Sequence, residues 1–172
     1  MNSVITDRRQ ALTLAGLALA SIGLGSLAGC SGREQAPVSR FLLLDGSTLD
    51  SSALKGKVAL VNFWATTCTT CVAEMPELIR THQKFQQRGF ETVAVAMSYD
   101  PVEWVLNYSR SRQLPFKVAL DRNGDLARSW GDVKLTPTTF LLDKQGQIVK
   151  RYVGAPDFAA LHQLIEQLLA QA

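Results

Sequence analysis

This chain of 172 residues has three cysteines, two histidines and no block of like charge. Each scarcity excludes something. A structural zinc site takes four ligands. No second CxxC pair follows the one at Cys68 and Cys71, and His82 and His162 both fall inside helical patterns, where helix-packing or surface roles are the ordinary reading. Lys and Arg number 18 against 15 Asp and Glu, a net charge of +3, and the cations are scattered. That balance gives no basic patch for nucleic acid. There is no internal repeat and no low-complexity tract. With 47% apolar and 19% charged residues, the composition is that of one globular domain with an addition at one end.

The addition is N-terminal. Arg8 and Arg9 precede an apolar stretch, 11–28, rich in Ala, Gly and Ser. Charge, apolar core and small residues before a cut point describe an export signal. The stretch ends in LAGC at Cys30 and resembles the lipobox of bacterial lipoproteins. That resemblance implies that 1–29 is removed and that Cys30 carries lipid as the first mature residue. The alternative is an uncleaved anchor, but 18 residues lie at the lower limit for crossing a bilayer, and the four glycines from Gly16 to Gly29 weaken a helix there. Both readings place the domain outside the cytoplasm, in a bacterial envelope and on the periplasmic side of a membrane. Residues 30–39 read as a polar tether, and 40–172 as the folded domain.

Within the domain, 40–46 reads as a short strand and turn. The run VALVNFW, 58–64, reads as a central strand buried on both faces. From Cys68 to about Arg88, Val72, Met75, Leu78, Ile79 and Phe85 recur at helical spacing, with Pro76 inside and Gly89 as the stop. Residues 90–97 read as a second buried strand, 101–111 as a helix with Trp104 and Tyr108 on one face, and a short helix reaches Trp130. Strands 138–143 and 147–153 form a hairpin, and 157–170 an amphipathic helix. Right-handed crossovers make the first two main strands parallel. The expected fold class is α/β, a mixed central sheet flanked by helices on both faces.

Cys68 falls where a buried strand ends and a helix begins. Unpaired N–H groups at a helix start stabilise a thiolate, and Cys71, one turn on, is within disulfide reach. The pair suits dithiol–disulfide cycling, and a bridge closing so short a loop constrains little of the unfolded chain. A permanent bridge, a metal site for copper or zinc and inert packing thiols remain as alternatives.

VNFWATTCTTC, Thr136-Pro137 ahead of a strand, LKGKVALVNFWAT and TPTTFLLDKQG together resemble the TlpA/ResA-like thiol–disulfide oxidoreductases of the thioredoxin superfamily, over about 40–170. The resemblance implies a thioredoxin-like fold, with Cys68 as the attacking cysteine and Cys71 as the resolving one. It implies a cis-proline at Pro137 facing the disulfide, Thr136 offering backbone hydrogen bonds to an extended substrate, and Trp64 beneath the site. Glu74, in CTTCVAEMP, matches a family glutamate that would move protons during exchange. Asn62 stands where thioredoxin has a buried aspartate. The sequence departs from the pattern at Thr67, where the family has tryptophan.

The implied activity is protein-disulfide reduction by a membrane-tethered monomer without cofactor or bound metal, for example in cytochrome c maturation or metal-centre assembly. The implied partners are proteins with disulfides or thiols, a membrane thiol electron donor and, through the lipid, the membrane; no nucleic acid is implied. A copper-binding metallochaperone and a peroxiredoxin-like peroxidase are the alternatives. The latter needs Pro and Thr seven and three residues before its cysteine, where this chain has Val61 and Ala65.

Overall fold

The computed structural model describes residues 32–171; the segment expected as a signal peptide and Cys30 lie outside them. The elements run β1 (Arg40–Leu43), β2 (Thr48–Asp50), β3 (Val58–Trp64), α1 (Thr69–Phe85), β4 (Phe90–Ala96), α2 (Val102–Ser111), β5 (Lys117–Leu120), α3 (Asp125–Ser129), β6 (Thr138–Leu142), β7 (Ile148–Val153) and α4 (Phe158–Ala170). The strands form one sheet in the order β2-β1-β5-β4-β3-β6-β7. β3 pairs with β4 in parallel, Val58 opposite Phe90, and β4 with β5. β6 runs antiparallel to both β3 and β7.

β3 is continuous apolar sequence because both its faces are covered. Its even-numbered residues Val58, Leu60 and Trp64 enter one core with Met75, Leu78 and Phe85 of α1, Val105 of α2, and Leu161, Ile165 and Leu168 of α4. The odd-numbered Ala59, Val61 and Phe63 enter a second core with Phe41, Leu126 and Trp130. Burying each large apolar side chain contributes about 1.5–3 kcal/mol. α1 runs through Pro76 and a short 3-10 turn to Gly89, whose φ of 89° lets the chain reverse into β4.

Two features differ from the sequence expectation. β2 and β5 went unrecognised because three and four residues cannot display a strand period; pairing with β1 and β4 defines them instead. The part of the expected tether from Glu34 to Ser39 is hydrogen-bonded to the domain. Ile148 N–H donates to Glu34 C=O (2.7 Å), Ala36 N–H to Gly146 C=O (3.0 Å), and the Trp130 indole N–H to Ser39 Oγ (2.9 Å). Its polar composition hid this, because backbone pairing asks little of side chains.

Candidate active site

The C-terminal end of β3 and the N-terminal end of β6 lie side by side, Phe63 opposite Thr138. That register brings the loop 65–68 and the Thr136-Pro137 peptide to one end of the sheet. The loop is tied down by Asp100, whose carboxylate accepts from Thr66 N–H and Thr66 Oγ, both at 2.6 Å. Cys68 is the N-cap of α1, and its Sγ accepts from the Cys71 N–H at 3.1 Å. The unpaired donors of the helix start therefore point at this sulfur.

Cys68 and Cys71 are joined in a disulfide, with their Cα atoms 5.2 Å apart. The two sulfurs are not equivalent. Cys68 is partly exposed, whereas Cys71 is 0% exposed and packed in the core. A partner from outside can reach only Cys68.

The Thr136-Pro137 bond is cis. Pro137 is buried and accepts from Gly154 N–H at 2.8 Å; Thr136 is half-buried, its Oγ 3.3 Å from the Tyr99 hydroxyl. Trp64 is wholly buried, its ring 5.2 Å from that of Tyr108, and presents no surface of its own. Thr67 is exposed, so no aromatic side chain stands directly before Cys68, where the sequence resemblance implies one. The six exposed large apolar side chains among the described residues are Val38, Tyr99, Val102, Trp104, Leu135 and Val153. All but Val38 belong to segments at the Cys68 end of the sheet.

Glu74 lies one turn beyond Cys71 and is 4% exposed. Burial pushes its carboxyl up from 4.5 to about 7, against the opposing bond from Asn62. Asn62 Nδ2 donates to Glu74 Oε1 (3.0 Å) and to Thr139 Oγ (2.9 Å). Asn62 Oδ1, Glu74 Oε2 and Trp64 Nε1 are buried without partners in the protein. The sequence reading gave no site role to Asn62, Thr139, Asp100 or Tyr99. For Asn62 a signal existed: it is the one polar residue in an otherwise apolar strand. His82 and His162 are engaged elsewhere, with Thr92 Oγ (3.1 Å) and Thr81 Oγ (2.8 Å). Among the described residues no group of three or more His, Cys, Asp or Glu converges, and no helix is long and apolar enough to cross a membrane.

Such a fold, with a helix-capping cysteine bridged to a buried one and a cis-proline at the same end of the sheet, defines a thiol–disulfide oxidoreductase of the thioredoxin superfamily. The Redoxin family model matches residues 32–165, and the chain belongs to that family, as a TlpA/ResA-like member. It is 33% identical to the thiol-disulfide oxidoreductase ResA of Bacillus subtilis over 131 residues, 75% of this chain and 72% of the relative. Against ResA of Bacillus thuringiensis subsp. konkukian the identity is 30% over 125 residues, 73% and 71% of the two chains. Among solved structures, a thioredoxin candidate from Neisseria meningitidis superposes with a TM-score of 0.75 at 37% identity, covering 81% of this chain and 93% of its own. A thiol:disulfide interchange protein from Chlorobium tepidum gives 0.73 at 27%, covering 80% and 97%.

Proposed function

We propose that the protein is a lipid-anchored, extracytoplasmic disulfide reductase, with Cys68 as nucleophile, Cys71 as resolving thiol and Glu74 as proton acceptor. The observation that carries the roles is the unequal exposure of the two sulfurs. In the dithiol form the Cys68 thiolate, steadied by the α1 N–H groups, attacks one sulfur of a partner disulfide. The partner S–S bond breaks, its other sulfur leaves as a thiolate, and a Cys68–partner bond forms.

Cys71 must then lose its proton while shut off from water. The nearby carboxyl of Glu74, whose pKa of about 7 suits it to take and return a proton near neutrality, receives it. The Cys71 thiolate attacks Cys68 Sγ, the intramolecular disulfide closes, and the partner's second sulfur leaves. Protons from Glu74 and from solvent convert the two partner thiolates to thiols. Two electrons have passed to the partner, and a membrane dithiol carrier restores the pair.

Thr136, half-buried beside Pro137, offers its backbone to an extended substrate segment. Trp64 supports the site from below. The LAGC motif at Cys30 supports the lipid anchor, and the family resemblance supports the reducing direction and a client such as a cytochrome c maturation or metal-centre assembly protein. Ser31 is not aspartate, so the sequence signals no inner-membrane retention by the lipoprotein pattern.

Cys71→Ala should trap clients as mixed disulfides on Cys68, identifiable by mass spectrometry. A redox titration of the domain decides direction: a potential as high as that of the oxidant DsbA, about −120 mV, would reject the reductase reading. Labelled palmitate should enter the wild-type chain and not Cys30→Ala; equal labelling would reject the anchor alone.

A further inference from the structure

We propose that Asn62 and Thr139 are positioning residues that give the Glu74 carboxyl a matched hydrogen-bond partner in both of its protonation states, so that it can hold and return a proton within the core. The inference rests on the proposed role of Glu74 as proton acceptor and adds two residues to it.

Asn62 is the anomaly from which the argument starts. All seven residues of β3 are buried and the other six are apolar. A buried amide with unmet hydrogen-bonding capacity costs about 1–3 kcal/mol, and an apolar residue between Leu60 and Trp64 would suit the fold as well. The amide is retained facing one group. Its Nδ2 spans Glu74 Oε1 and Thr139 Oγ, at 3.0 and 2.9 Å, while its Oδ1 and Glu74 Oε2 have no protein partner. Asn62 and Thr139 are also registered opposite each other in the β3–β6 ladder, so the sheet itself fixes their spacing.

The chemistry of the three groups is complementary. An ionised carboxylate only accepts, and the amide NH₂ donates to it. A neutral carboxyl must donate its O–H, and the same amide, turned over, presents an acceptor oxygen. The threonine hydroxyl is donor and acceptor in one, so it can satisfy either edge of the amide. A leucine at position 62 would serve neither state. An aspartate would leave the ionised form facing a second negative charge, and a lysine would hold Glu74 permanently ionised.

No charge competes with this arrangement. The titratable groups on the elements around Glu74 are Cys68, Cys71, Glu77, Arg80, His82 and Lys84 on its own helix and cap, Glu103, Tyr108, Arg110 and Arg112 on α2 and its cap, and His162 and Glu166 on α4. None of them is among the causes acting on Glu74, which are burial and the Asn62 bond.

The test follows the pH dependence of mixed-disulfide resolution, using thionitrobenzoate on Cys68 as the probe, together with the Glu74 carboxyl carbon by ¹³C NMR. In the wild type both should show an inflection near pH 7. Asn62→Leu removes the partner of both forms, but the bond to the charged carboxylate is the stronger one, so the inflection should rise by about one pH unit, a tenfold change in proton affinity. Thr139→Val, which keeps shape and strand preference, should move it in the same direction by less, and Thr139→Ser should restore it. An Asn62→Leu protein that folds, reacts at Cys68 and keeps the wild-type inflection overturns the proposal, as does Thr139→Val indistinguishable from wild type when Asn62→Leu fails to fold. Glu74→Gln separates the two ideas. If it abolishes the kinetic inflection while Asn62→Leu leaves it in place, only the positioning role fails; if the inflection survives Glu74→Gln, the proton-acceptor role fails first.

Discussion

Asp100 closes both oxygens of its carboxylate on a single residue, Thr66, taking the backbone N–H and the hydroxyl at 2.6 Å each. Thr66 lies two residues before Cys68, and Asp100 is 5% exposed. The turn between β4 and α2 thereby fixes the loop that delivers the reactive sulfur to the tip of α1.

Asp100→Ala should lower stability by about 2–3 kcal/mol, the scale for losing hydrogen bonds to a buried charge. It should also slow attack of Cys68 on a small disulfide by on the order of tenfold, since a loosened loop misplaces the nucleophile. Denaturant midpoints and stopped-flow rates check the two effects separately. A variant that loses stability but attacks at the wild-type rate would show that the Thr66 contact holds the fold together without positioning Cys68.

The exposure difference between the sulfurs predicts their reactivity. In the reduced protein, iodoacetamide should label Cys68 more than tenfold faster than Cys71, because the thiolate at the helix N-terminus is both more populated and accessible. Peptide mapping after a short pulse measures the ratio. Comparable labelling of both cysteines would remove the basis for assigning attack to one and resolution to the other.

Glu74 ties the site to stability. Its folded pKa of about 7 lies above the ordinary 4.5. The folded state therefore binds more protons than the unfolded chain between those values. The stabilisation is present in full below about pH 4.5 and is lost as pH rises through 7. The difference corresponds to about 3 kcal/mol. Urea midpoints of the disulfide form should fall across that window in the wild type and fall less in Glu74→Gln. Parallel slopes for the two proteins would mean that the carboxyl is not held neutral by the fold.

What the sequence displayed and what it hid divide along physical lines. β3, β4, α1 and α4 are long enough for burial to print a period, and all four are found where expected. β5 is four residues long, and the 34–36 segment is held by backbone bonds, so neither leaves a side-chain pattern. At the site, Cys68, Cys71 and Glu74 stand within seven residues on one helix and its cap, and Pro137 carries a distinctive dipeptide. Asp100 and Thr139 reach the same site from positions 34 residues beyond Thr66 and 77 beyond Asn62. Such partners become visible only when the sheet has brought the strand ends together. Trp64 was legible as part of a motif, but its complete burial against Tyr108 was not.

Trp104 tests the approach to the disulfide. It is 54% exposed in the first turn of α2, one helical turn from Tyr108, which packs on Trp64. With Thr67 in place of the family tryptophan, the aromatic surface at this end comes from Trp104 and Tyr99. A side chain this exposed contributes little to folding, and surface substitutions usually stay within about 0.5 kcal/mol. Trp104→Ala should therefore keep wild-type stability and the wild-type rate with a small disulfide. For a protein disulfide client its KM should rise about tenfold, the ~1.4 kcal/mol expected when an aromatic anchor is truncated, with kcat little changed. An unchanged KM for the client would show that partners dock elsewhere, on Leu135 and Val153 across the Pro137 side. A fall in the small-disulfide rate would show instead that Trp104 acts on Cys68 itself.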